Sequence, residues 1–249
     1  KEFLEFPVKL YASDKNWIRP LDQDIENTFN PAKNKLFKHG ECTRWVLQDD
    51  QGETLGRVAA FINHETSKNE PQPTGGMGFF ECIDNKDAAF LLFDTCKEWL
   101  LNRGMEAMDG PINFGERDSF WGLMVKGWEF EPTYKMPWTK QYYISFFEEY
   151  GFKDYFQQYV YSAYILASTA DKSVMDKAYR IYANTNITFQ HITKRELSKF
   201  GEDFRTIYNE AWAKFPGVKA MNQEQAQSLV AQMKPIIEEK LIWFAYDGD

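Results

Sequence analysis

Residues 75–120, GGMGFFECIDNKDAAFLLFDTCKEWLLNRGMEAMDGPINFGERDSF, constrain the fold more than any other stretch of the chain. Three glycines lead into the short apolar run 79–83, which predicts a strand, and residues 87–103 have the apolar density of a buried helix. Gly104 stands where a left-handed cap ends such a helix. A strand that turns straight into a helix N-terminus presents amides without intrahelical partners. These carry roughly +0.5 of a charge and can receive an anion without any basic side chain. One use of such a site is to hold the phosphates of a nucleotide-containing cofactor.

Around this segment the pattern predicts a mixed α/β fold. Residues 7–11 read as a first strand and 17–29 as a helical stretch whose loop carries Pro20. The β-rich runs 42–49 and 54–62 flank the polar turn Asp50-Gln51-Gly52-Glu53 and predict an antiparallel hairpin. The polar loop 64–76 follows. Beyond the central helix the pattern predicts a strand at 105–112, a helix at 116–126, a strand at 133–137, a helix at 141–150 ended by Gly151, and a closing strand at 156–166. Residues 167–186 form a polar helical connector. A new strand at 187–191, helices at 204–214 and 223–233 and a strand at 241–246 then begin another unit, whose last strand is expected to lack its partner.

Composition narrows the function classes. The 249 residues, 43% of them apolar, suffice for one large core or two smaller ones. No apolar run approaches the roughly 18 residues needed to cross a bilayer, and KEFLEFPVKLY lacks the layout of a secretion signal, so the expected compartment is the cytoplasm. A formal charge of −8 without a Lys/Arg cluster disfavours nucleic acid. Cys42, Cys82 and Cys96 are odd in number and lack CxxC spacing, which predicts neither a disulfide framework nor a zinc site. His39, His64 and His191 are scattered, so no metal is assigned, and no nucleophile elbow or P-loop is present.

The phrases FPVKLY, WIRPL, GFFECID, LLNRGMEAMDGPINF, WGLMVKGW and YYISFFEEYGF run in order over the first 165 or so residues. In this the chain resembles the GNAT acyltransferase family, specifically a bacterial branch with two GNAT-like units in tandem. The resemblance implies a GNAT-like domain over 1–166, the connector 167–186, and the opening part of a second unit over 187–249. It implies a central, mostly antiparallel mixed sheet flanked by helices. The activity it implies is transfer of an acetyl or other acyl group from acetyl-CoA or another acyl-CoA to a small-molecule or peptide amine, with a homodimer allowed for.

Acyl transfer to an amine needs a base, a polarised carbonyl, an acid for the leaving thiolate and a hold on the diphosphate. By the resemblance Glu81, mid-strand among apolar neighbours, is the candidate base; its other reading is a carboxylate paired with a Lys or Arg on the sheet face. Tyr142, Tyr143 and Tyr150 compete for the acid role, with Tyr143 and Tyr150 sharing one helical face, and each also reads as core. Asn113 matches a side chain against the pantetheine arm, or a turn cap. The family's phosphate loop corresponds to Ile83-Asp84-Asn85-Lys86-Asp87-Ala88-Ala89, making Ile83, Asn85, Lys86, Ala88 and Ala89 the cofactor-binding candidates. The family glycines are missing here, and Asp84, Asn85 and Asp87 can satisfy the helix amides internally. Two further readings stand beside the CoA-dependent enzyme: a GNAT-like binding or interaction module without catalysis, and a tandem-GNAT aminoacyl transferase that uses no CoA.

Overall fold

A computed structural model describes residues 1–67, 71–115, 119–164, 171–184, 186–212, 215 and 220–248. The chain divides into two compact units, Lys1–Val160 and Tyr161–Asp249. Among the described residues no helix is long and apolar enough to cross a membrane.

The first unit is built on a four-stranded sheet of β1 (Gly40–Gln48), β2 (Thr54–Asn63), β3 (Thr74–Cys82) and β4 (Ala107–Asp109), in that order. β1, β2 and β3 pair antiparallel, and β4 joins β3 in parallel. The mixed α/β fold expected from the sequence is therefore present. Its hairpin turns where the Asp49 carboxylate accepts the amides of Gln51 and Glu53, both at 2.9 Å. Strand alternation sends Val58 and Ala60 to one face of the sheet and Ala59 to the other. The first face packs on α4 (Lys86–Leu101) and α5 (Tyr143–Tyr150) through Leu92, Phe93, Cys96, Phe146 and Phe147. On the second face Phe3 of α1 (Glu2–Leu10) and Ile25 of α2 (Asp22–Thr28) cluster with Ala59 and Phe79.

Several predicted elements differ. Residues 7–11 are not a strand: Phe3, Phe6, Pro7 and Leu10 recur at helical spacing and all lie in α1, which Tyr11 follows. The helical stretch 17–29 shrinks to α2, because Pro20 disfavours helix in the residues before it. A one-turn helix, α3 (His64–Ser67), opens the loop 64–76. The strand at 105–112 is only β4. No helix forms over 119–126, where Phe120 at φ +51° and Gly122 at φ +97° leave the helical region; residues 116–118 lie outside the described ones. Residues 133–137 turn at Lys135, φ +62°, and form no strand. Neither do 156–164 of the expected closing strand, while 165 and 166 lie outside the described residues.

The second unit holds α6 (Lys172–Tyr182), β5 (Ile187–His191), α7 (Leu197–Trp212), α8 (Gln223–Met233) and β6 (Trp243–Asp247). Of the connector range, residues 167–170 and 185 lie outside the described ones. The last strand does have a partner, since β6 runs antiparallel to β5 with His191 opposite Trp243. Ile192, Phe200, Ile237 and Phe244 form the core of this unit.

Candidate active site

The site begins with an irregularity in β3. Ala59 is opposite Gly78 and Arg57 is opposite Glu81, so Val58 alone faces both Phe79 and Phe80. Phe79 sits at φ +49°, the mark of a β-bulge. The extra residue reverses the alternation. Met77 faces α4, and without the bulge Glu81 would share that face; with it, Phe80 and Cys82 enter the α4 core while Glu81 stands beside Arg57 on the side of α1 and α2. The pairing with β4 stops before the bulge. Ladder pairs stop at Gly76 and Asp109, the Ile112 amide bonds the Met77 carbonyl at 2.8 Å, and past this point β3 has no β4 partner among the described residues.

Glu81 Oε2 accepts from Arg57 Nε at 2.5 Å, with the two side chains 14% and 4% exposed. Arg57 Nη1 donates to the Phe3 carbonyl, and its guanidinium lies over the Phe3 ring at 4.5 Å. The paired reading of Glu81 is thus realised in the ground state. Both residues line a cavity of about 70 Å³, room for about two waters or the reacting head of a substrate. Its walls are largely apolar, from Trp17, Pro20, Ile25, Phe120, Leu123, Met136 and Trp138, with Tyr143 beside Glu81.

Tyr143 and Tyr142 close the far end of β3. The Cys82 amide donates to the Tyr143 hydroxyl at 2.9 Å, and the hydroxyls of Tyr142 and Tyr143 donate to the Cys82 carbonyl at 2.8 and 3.1 Å. Burial holds the Tyr143 phenol well above its ordinary value, so it keeps its proton at neutral pH. Tyr150 lies elsewhere, packed on Phe90 and Phe93 with its hydroxyl donating to Asp94 at 2.6 Å. Tyr11 is 1% exposed, stacks on Trp17, and its hydroxyl has no hydrogen-bond partner among the described residues. The structure therefore gathers Glu81 and Tyr143 at one cavity and leaves Tyr150 outside it.

At the β3–α4 turn Asn85 is the N-cap, its side chain accepting the Ala88 amide at 3.0 Å and its carbonyl accepting the Ala89 amide at 3.1 Å. Ile83 bonds back to the Leu55 carbonyl at 2.9 Å. The Lys86 amine is drawn away to Glu149 on α5. Capped amides, an engaged lysine and the carboxylates of Asp84 and Asp87 do not fit the demands of a diphosphate. Asn113 is 6% exposed with Oδ1 unpartnered among the described residues, and it does not line the cavity. Cys82 and Cys96 are buried and Cys42 is half-buried, all three as free thiols.

Arg57, which lines the cavity, and Tyr11, which packs behind its wall on Trp17, are the residues that the sequence reading missed. Arg57 had a signal: it is the one charge in the run LGRVAAFI, and a charge in a buried strand needs a partner. Tyr11 had none, since nothing local separates it from a core aromatic.

The chain is 25% identical over 248 residues to Protein YghO of Escherichia coli K12, covering 98% of this chain and 62% of that protein. It is 28% identical over 259 residues to the bacterial ceramide synthase of Caulobacter vibrioides NA1000/CB15N, covering 100% of this chain and 64% of that protein. It thus spans less than two thirds of the length of both relatives. No family model and no solved structure matches it.

Proposed function

We propose that the chain belongs to an N-acyltransferase of the GNAT type, which transfers an acyl group from a thioester such as acetyl-CoA or another acyl-CoA to an amine carried on an apolar body. One observation carries this reading: Glu81 and the protonated Tyr143 line the same apolar cavity, at the end of the strand whose bulge aims Glu81 there. Glu81 accepts the proton of the attacking amine, Tyr143 supplies a proton to the departing thiolate, and strand amides beside the bulge stabilise the oxyanion. The name of the Caulobacter relative supports the same chemistry, since a ceramide is the amide of an acyl group and a long-chain amine. No step is routed through the β3–α4 turn, which lacks the features of a diphosphate cradle.

Calorimetric titration of acetyl-CoA and CoA into the longest form of the protein, followed by an amine-acceptor screen, tests the proposal. Binding and turnover are expected, with Glu81→Gln binding equally and turning over about 10²-fold or more slowly. Binding absent for every acyl-CoA, or full turnover by Glu81→Gln, overturns it. The self-capped turn favours one second reading, a GNAT-like interaction module without catalysis, and the absence of binding would place that reading first.

A further inference from the structure

The purpose of Arg57 emerges from a proline. α1 contains Pro7, whose ring nitrogen has no hydrogen to give to the carbonyl four residues earlier. That carbonyl belongs to Phe3, and it accepts Arg57 Nη1 instead. The guanidinium is then fixed from three sides: by the freed carbonyl, by the Phe3 ring at 4.5 Å and by the Phe79 ring at 5.9 Å. Its Nε is left to bond Glu81 Oε2 at 2.5 Å, and no hydrogen bond among the described residues engages Glu81 Oε1. We infer that Arg57, held by the Phe3 carbonyl that Pro7 leaves free, is the positioning residue that fixes the orientation of Glu81.

The inference rests on the base role proposed for Glu81. The other groups around that carboxylate do not duplicate Arg57. Tyr11, following α1, and Tyr143, from α5, are both kept neutral by burial. Arg19, across the cavity, is bonded to Glu5 at 3.0 Å and to Asp22 at 2.9 Å. A bidentate or stacked arginine restrains rotation as well as supplying charge, which a lysine cannot do.

The test reads kcat and KM separately in the full protein and follows the Glu81 side-chain carboxyl by carbon NMR at one fixed pH. In Arg57→Met the carboxyl resonance is expected to move and broaden, and kcat to fall about 10-fold or more with KM little changed, because the group that holds the carboxylate in place is gone. Arg57→Lys should rescue only part of kcat, since it keeps the charge without the fixed geometry. Pro7→Ala restores an amide that competes for the Phe3 carbonyl, so it should also lower kcat while leaving α1 intact. It serves as the decisive variant if Arg57→Met does not fold. An unmoved resonance with parent kcat in folded Arg57→Met, or in both Arg57→Lys and Pro7→Ala, overturns the inference. Failure of the base assignment looks different: Glu81→Gln would then retain the parent rate, whatever the Arg57 variants do.

Discussion

Arg57 is 3% exposed, and a charge buried that deeply is tolerable only while its counter-charge is present. Removing the partner alone, in Glu81→Ala, is expected to cost about 3–5 kcal/mol in urea unfolding, while the double variant Arg57→Met/Glu81→Leu recovers most of that loss. A double variant as unstable as the single one would show that the pair is not the source. The thiols follow the same rule of burial. Desolvation pushes Cys82 up to about 12 and Cys42 up to about 11, and raises Cys96 as well, so iodoacetamide at pH 8 should leave all three unmodified until denaturant is added. Rapid labelling of Cys82 in the native state would contradict its buried placement. Glu81 was legible in the sequence because an acid among apolar strand residues is conspicuous. The two readings of Glu81, as a base and as the partner of a basic residue, both stood open in the sequence, and the cross-strand register places it opposite Arg57.

At the level of elements, β3 depends on glycine for close approach. A Cβ on Gly78 would lie 1.7 Å from the Ile112 carbonyl oxygen, so Gly78→Ala must push back the segment after β4. Thermal unfolding should show a loss of about 3 kcal/mol or more, and a loss below about 1 kcal/mol would mean that the loop yields freely. At the next turn, Asn85→Ala removes the N-cap of α4 and is expected to cost about 1 kcal/mol, equally with and without acetyl-CoA. A larger cost with acetyl-CoA present would mean that the turn does hold phosphate. The hairpin, α4, α5 and α8 were legible because period, caps and turn chemistry agree there. α1 was hidden by Pro7, which argues against helix locally although the spacing of Phe3, Phe6, Pro7 and Leu10 argues for it. The stretch 119–137 was misread because the left-handed residues Phe120 and Lys135 are set by tertiary packing, and neither carries a local signal for that conformation. The bulge at Phe79 was equally silent: no glycine marks the position.

For the whole molecule, the buried phenols tie stability to pH. Tyr11 and Tyr143 are held well above 10, chiefly by burial, whereas in the unfolded chain they ionise near 10. Above pH 10 the folded state therefore keeps protons that the unfolded state has lost. Their contribution is fully present below that pH and disappears as pH rises through the folded values. Tyrosinate absorbance followed with circular dichroism should show these two phenols ionising only as the fold is lost; ionisation of every tyrosine near pH 10 with intact dichroism would refute their burial. The phenols that close β3 have a colloidal consequence too. Beyond Met77 the outer side of this strand would otherwise offer bare amides and carbonyls to any extended chain that met it. Because the hydroxyls of Tyr142 and Tyr143 already occupy the Cys82 amide and carbonyl, an incoming chain finds the end of that side taken. Replacing both tyrosines with phenylalanine would remove the guard, and crowded samples of such a variant should gel or form fibres where the parent stays clear.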